Sequence, residues 1–73
     1  MSNKTEKARQ VLALRVREAM QRANVSENEL ALETNIPASR LRSILAGRCE
    51  STTLFEIVAF ATAFDRSVDS FLS

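Results

Sequence analysis

The 73-residue chain has no histidine, tryptophan or tyrosine, and only one glycine, one proline and one cysteine. Without histidine, and with Cys49 alone, it cannot assemble the ligand clusters of a zinc site. The same lack excludes Ser-His-Asp and Cys-His nucleophilic sites. One glycine, Gly47, cannot build a glycine-rich phosphate loop. Carboxylate chemistry survives this elimination, but so short a chain has little room for a pocket of ~300 Å³. The expectation is a protein that is not an enzyme and carries no cofactor or metal. Cys49 cannot form an internal disulfide, which fits a reducing compartment, and it is read as an inert free thiol. No apolar run approaches the ~20 residues of a membrane span. The opening MSNKTEKARQ lacks the apolar stretch of a secretory signal. A cytoplasmic location is expected.

What is present is ordinary globular composition, 45% hydrophobic and 26% charged, which argues against disorder. The length allows one domain, with about 60% of the unfolded chain's surface buried. The net charge of +1 hides an uneven distribution. Residues 1–23 hold six basic and two acidic side chains, a net +4. Residues 24–36 carry three acids, and residues 37–48 three arginines. Residues 49–73 hold one base against four acids, a net −3. Two basic segments thus alternate with two acidic ones, and folding can gather the basic pair on one face.

Residues 1–10 lack apolar periodicity and read as a flexible arm or frayed helix start, leaving 11–73 as the domain proper. From Val11 the pattern is helical, with Leu12, Val16, Ala19 and Met20 on one face. Asn24 is suited to the left-handed conformation of a helix end. Ser26 and Glu29 have the spacing of a capping box for a second helix through Leu30 and Ala31 to Thr34, stopped by Asn35. Pro37 suits the first turn of a third helix, which turns Leu41, Ile44 and Leu45 inward and ends at Gly47. A loop follows from Arg48 to Thr52. Thr53 and Glu56 repeat the capping-box spacing for a fourth helix running to Phe64, with Asp65 at its stop. A fifth short helix is predicted near Ser67, carrying Val68, Phe71 and Leu72. Strand signals are weak. The predicted fold is all-α, a compact bundle of five short helices.

The segment VSENELALETNIPASRLRSILAG, residues 25–47, joins its two helices through about three residues around Asn35. So short a connection forces a sharp angle and leaves the second helix protruding, as in a helix-turn-helix. The segment resembles the lambda-repressor/Cro-like, or XRE, family of helix-turn-helix DNA-binding proteins. The resemblance runs from about Leu12 to Leu72. It rests on Ser26, Glu29, Leu30 and Ala31, on Ile36, Leu41, Ile44 and Gly47, and on Ser67-Val68-Asp69 before an apolar pair. It implies a regulator of phage or bacterial transcription, a small repressor that binds a double-stranded DNA operator as a dimer. By position, the helix near residues 37–46 would enter the major groove. Ala38, Ser39, Arg42 and Ser43 would face bases, with Arg42 suited to a bidentate contact with guanine. Arg40 and Arg48 would hold phosphates, as would the start of the second helix at Ser26 and Glu27.

Three departures stand out. Glu27 replaces the glutamine usual in the family, and a carboxylate there repels phosphate. The family often pairs an arginine of the first helix with a glutamate of the third. Met20 and Leu45 occupy those positions here, so an apolar contact is expected instead. Asn24, Asn35 and Asp65 stand where the family often has glycine.

Other readings stay open. The three arginines can be a solvated face, and Lys4, Lys7 and Arg9 a loose tail instead of a phosphate- or minor-groove-reaching arm. Leu14, Leu32 and Phe55 fall where the family is polar, which points to a partner surface. A homodimer through the fourth and fifth helices would use Phe55, Arg66, Val68 and Phe71. The rival function is a protein-interaction module on the same fold, an antitoxin-like or anti-repressor partner.

Overall fold

A computed structural model describes residues 3–48 and 52–71, with side chains described from Lys7 onward. Cys49, Leu72 and the side chain of Lys4 lie outside the described residues. Four α-helices follow in order: α1 Asn3–Ala23, α2 Glu27–Thr34, α3 Ala38–Leu45 and α4 Leu54–Ala63. A closing 3-10 turn spans Val68–Phe71. No strand occurs among the described residues, so the fold is all-helical.

Helix α1 begins well before Val11. Residues 3–10, expected as a loose arm or frayed start, form its first two turns. They lack an apolar stripe, but Lys, Glu, Ala, Arg and Gln are all strong helix formers, so an established helix propagates into them. Gly47 also lies against this segment: a Cβ there would stand 3.8 Å from Gln10 Cγ and 3.9 Å from the Arg9 carbonyl oxygen. The fifth element differs as well. It is a single 3-10 turn closed by i→i+3 bonds, such as Ser70 N–H to the Ser67 carbonyl at 3.1 Å.

The helix ends obey the local chemistry of the sequence. Ser26 and Thr53 are N-caps in complete capping boxes. The Ser26 hydroxyl accepts from Glu29 N–H at 3.2 Å, and Ser26 N–H donates to the Glu29 carboxylate at 3.1 Å. The same reciprocal pair joins Thr53 and Glu56 at 3.2 and 2.8 Å. Asn24, Asn35 and Asp65 adopt φ of 56°, 60° and 54°, the left-handed stops that Asn and Asp tolerate. After α1 and α4 the chain closes in Schellman fashion. Val25 N–H returns to the Met20 carbonyl, and Arg66 N–H to that of Ala61.

The core is one cluster. Leu12, Val16 and Ala19 of α1 meet Leu30 of α2, Ile36 of the connection, Leu41, Ile44 and Leu45 of α3, Phe60 and Ala61 of α4, and Phe71. Phe71 docks the closing turn, with ring centroids 6.5 Å from Phe60 and 6.2 Å from Phe64. Phe71 is 1% exposed and Val68 packs against the cluster. Both therefore belong to the core and not to the exposed dimer surface expected from sequence. Met20 packs on the cluster that contains Leu45, in keeping with the apolar contact expected there. The radius of gyration, 11.2 Å, is what a fully collapsed chain of this length has. Among the described residues, no helix is long and apolar enough to cross a membrane.

Candidate nucleic-acid interface

Helices α2 and α3 are linked by Asn35, Ile36 and Pro37 alone. Asn35 supplies the left-handed turn, Ile36 is buried as an anchor, and Pro37, at φ −55° and ψ 142°, leads into α3. Thr34 secures the corner. Its hydroxyl donates to the Leu30 carbonyl at 2.7 Å and accepts from Ile36 N–H at 3.4 Å.

Helix α3 divides cleanly into two faces. Leu41, Ile44 and Leu45 are buried, while Ala38, Ser39, Arg42 and Ser43 are exposed. These four recur at i, i+1, i+4 and i+5, so one outward face carries all of them. The sequence-expected base-facing residues are thus brought together on a single surface. The Ser43 hydroxyl donates to the Ser39 carbonyl at 3.3 Å, so part of its bonding capacity is turned back on the helix.

Two arginines fix the pose of α3, and neither role was legible beforehand. The Arg17 guanidinium of α1 donates to the Leu45 carbonyl, at 2.9 Å from Nε and again from Nη2. The last four carbonyls of a helix have no intrahelical donor. Here each finds one. Arg42 O accepts from Ala46 N–H, Ile44 O from Gly47 N–H, Ser43 O from Arg48 N–H, and Leu45 O from Arg17. Gly47, at φ 72°, makes this closure possible. The positive charge also complements the negative end of the helix dipole.

Arg40 is the second clamp. Its Nε and Nη2 grip the two oxygens of Glu56, the Nη2–Oε1 distance being 2.9 Å. The fork of Arg40, expected to hold a phosphate, is engaged by Glu56 of α4, while its side chain remains 35% exposed. The Glu56 side chain is 13% exposed and serves both Arg40 and the α4 cap. The bond from Arg40 is the chief reason its carboxyl is lowered from about 4.5 to about 2. The Thr53 bonds and the Arg40 charge assist, and burial opposes.

At the start of α2 the Ser26 hydroxyl is spent on capping. That leaves the backbone N–H groups of Glu27 and Asn28 outside the intrahelical ladder. The Glu27 carboxylate, expected to repel an approaching phosphate, lies 3.6 Å from Arg42 Nε. Both side chains are more than half exposed. Arg48 is exposed just past the end of α3. Arg9 of the basic N-terminal segment is half-buried on α1, and Lys7 is exposed.

In comparisons with known proteins, no family model, no curated protein and no solved structure matched the chain.

Proposed function

We propose that this protein is a sequence-specific double-stranded DNA-binding regulator of transcription, a small Cro-like repressor of phage or bacterial type. The observation that carries the reading is the outward face of α3. Ala38, Ser39, Arg42 and Ser43 stand exposed together on a helix whose other face is sunk in the core and whose ends are tied by Arg40 and Arg17. With α2 this forms a helix-turn-helix, and α3 is the helix that would enter a major groove. Arg42 has the reach and the fork for guanine O6 and N7, and Ala38 suits a thymine methyl. Ser39 and Ser43 are short, tolerant readers. Arg48 and the free N–H groups at the start of α2 would hold the backbone. Affinity would come from counterion release and selectivity from the few side chains of α3. No bond is made or broken.

A homodimer lets two copies of α3 read half-sites about one helical turn apart. Leu54, Phe55 and Val58 form the exposed apolar ridge of α4 suited to that contact, at 67%, 88% and 42% exposure. The same ridge, with Leu32 at 82%, favours a second reading as a protein-interaction module.

The deciding experiment is fluorescence-anisotropy binding to a random duplex pool at ~50 and ~200 mM salt, followed by selection. A steep salt slope and enrichment of a two-fold symmetric site, lost in Arg42→Ala, is the expected result. No binding at either salt overturns the DNA reading and leaves the protein-interaction module.

A further inference from the structure

The flank of α1 turned away from α3 carries its own set of cations. Arg17 marks the side of α1 that faces α3, since it bonds the Leu45 carbonyl. Arg15, Glu18 and Arg22, at i, i+3 and i+7, occupy a different stripe of the helix. They line a cleft of about 320 Å³ whose other wall is Arg66, Ser70 and Phe71. Three arginines from two separate parts of the chain therefore line one concavity, with a single acidic residue among its lining. That residue, Glu18, is engaged by Arg15 at 3.2 Å. Among the described residues, no side-chain hydrogen bond or ion pair engages Arg22 or Arg66.

Arg22 and Arg66 are both exposed, so their like charges sit together at little cost in water and both forks can meet a dissolved anion. The dipole of α1 accounts for a cation in its last turn, where Arg22 sits, but not for Arg66 beyond the end of α4. Two planar forks and a hydroxyl match the donor needs of a tetrahedral oxyanion, each guanidinium taking a pair of oxygens. Phe71, 1% exposed, gives the cleft a rigid floor because it is itself locked between Phe60 and Phe64.

We propose that this cleft is a binding site for a phosphate-class oxyanion, held by Arg22 and Arg66, with the Ser70 hydroxyl accepting from that of Ser67, 3.3 Å away, and donating to the anion as a third donor. The site does not rest on the DNA reading, because none of the residues expected to touch bases or phosphates lines this cleft. Inorganic phosphate and the phosphoryl group of a nucleotide share the recognised chemistry.

The test is calorimetric titration of the full chain with inorganic phosphate, and separately with adenosine monophosphate, at constant ionic strength set by chloride. Amide shift mapping runs alongside. Saturable binding is expected, with the largest shifts at Arg22, Arg66 and Ser70. Binding should weaken at least tenfold in Arg22→Gln/Arg66→Gln and stay unchanged in Lys7→Gln. Tighter binding of the nucleotide than of phosphate assigns the site to an organic phosphate, and equal binding assigns it to the free ion. Absence of saturable binding overturns the proposal. So does equal binding by the double variant, or shifts confined to α3. Should the double variant lose its helical circular dichroism, each single variant is titrated instead, with a threefold or greater loss expected in both.

Discussion

Glu27 opens α2 and Arg42 lies at the centre of the exposed face of α3, and their charged groups face one another at 3.6 Å. An exposed acid in the first turn of α2 is thus matched to the cation of the outward face of α3. At this exposure the pair is worth no more than ~1 kcal/mol. It nonetheless orients Arg42 across the corner between the two helices and offers it a partner that a phosphate must displace. On the DNA-reading proposal, Glu27→Gln should strengthen binding to unrelated duplex, by about fivefold at most from the energy of such a pair. The selected site should gain less, so the ratio between the two falls. Anisotropy titrations of both duplexes at two salt concentrations check this. Weaker binding to both would show that Glu27 itself contributes a contact.

Arg17 and the Leu45 carbonyl lead to a prediction about stability alone. Arg17→Met keeps the length of the side chain and removes the donor, leaving the last carbonyl of α3 without a protein partner. Loss of a hydrogen bond from a charged group should cost about 1.5–3 kcal/mol. For a domain of this size that lowers the melting temperature by roughly 4–8 °C per kcal/mol. Thermal unfolding followed by circular dichroism measures it. Arg15→Met, whose Glu18 partner is an exposed neighbour on the same helix, should shift the midpoint far less.

The contrast between these arginines marks what a sequence shows and what it hides. Both capping boxes, the three left-handed stops and the inward faces of α1, α3 and α4 are written within a few residues of each other. Each follows from local rules of hydrogen bonding, sterics and periodicity. Ala38, Ser39, Arg42 and Ser43 shared a legible face for the same reason. The partners of Arg17 and Arg40 lie 28 and 16 positions away, and nothing in the local pattern distinguishes a guanidinium that will meet a carbonyl or carboxylate from one left in water. From sequence alone Arg40 therefore looks like a phosphate ligand. Residues 3–10 show the opposite case: without an apolar stripe, periodicity leaves a loose arm and a frayed helix start equally open, while intrinsic propensity and the seat of Gly47 suffice for a helix.

The Arg40–Glu56 pair carries a pH signature. In the fold the Glu56 carboxyl is held at about 2 against an ordinary value of 4.5, first by its bond from Arg40. A depressed carboxyl contributes fully above its unfolded value and loses that contribution as pH falls toward its folded one. The window here is therefore about pH 4.5 down to about pH 2. Because the Arg40 side chain is 35% exposed, solvent screening reduces the contribution to about 1–2 kcal/mol. Urea unfolding of the wild type and Glu56→Gln at pH 7 should differ by about that amount. The difference should shrink steadily between pH 4.5 and pH 2.5. A gap that stays constant across this range would place the effect in the packing of the side chain and not in the charge of its carboxylate.

Asn35 sets the angle between α2 and α3, and the left-handed conformation it adopts, at φ 60°, is costly for a β-branched side chain. Asn35→Gly should leave stability within ~0.5 kcal/mol, whereas Asn35→Val should cost about 1–2 kcal/mol, the ordinary penalty for that backbone region. Denaturant titration compares the two. If α3 reads DNA, the valine variant should also lose site selectivity even under conditions where it remains folded, because the outward face then meets the groove at a different angle.

Phe55 separates the readings of the α4 ridge. At 88% exposure its ring contributes almost nothing to the fold of a single chain, so Phe55→Lys should leave the unfolding midpoint at low protein concentration unchanged. Burying that ring against a second copy is worth about 1.5–3 kcal/mol per copy, and a lysine there would bring two like charges together. Sedimentation velocity over a range of concentrations should therefore show a dimer for the wild type and a monomer for Phe55→Lys. Binding to a two-fold symmetric duplex should weaken in step while binding to a half-site does not. A wild type that stays monomeric at every concentration yet loses a bound partner protein on the same substitution would transfer the ridge to the protein-interaction reading. A monomer whose DNA binding ignores the substitution would leave the ridge without a role in either.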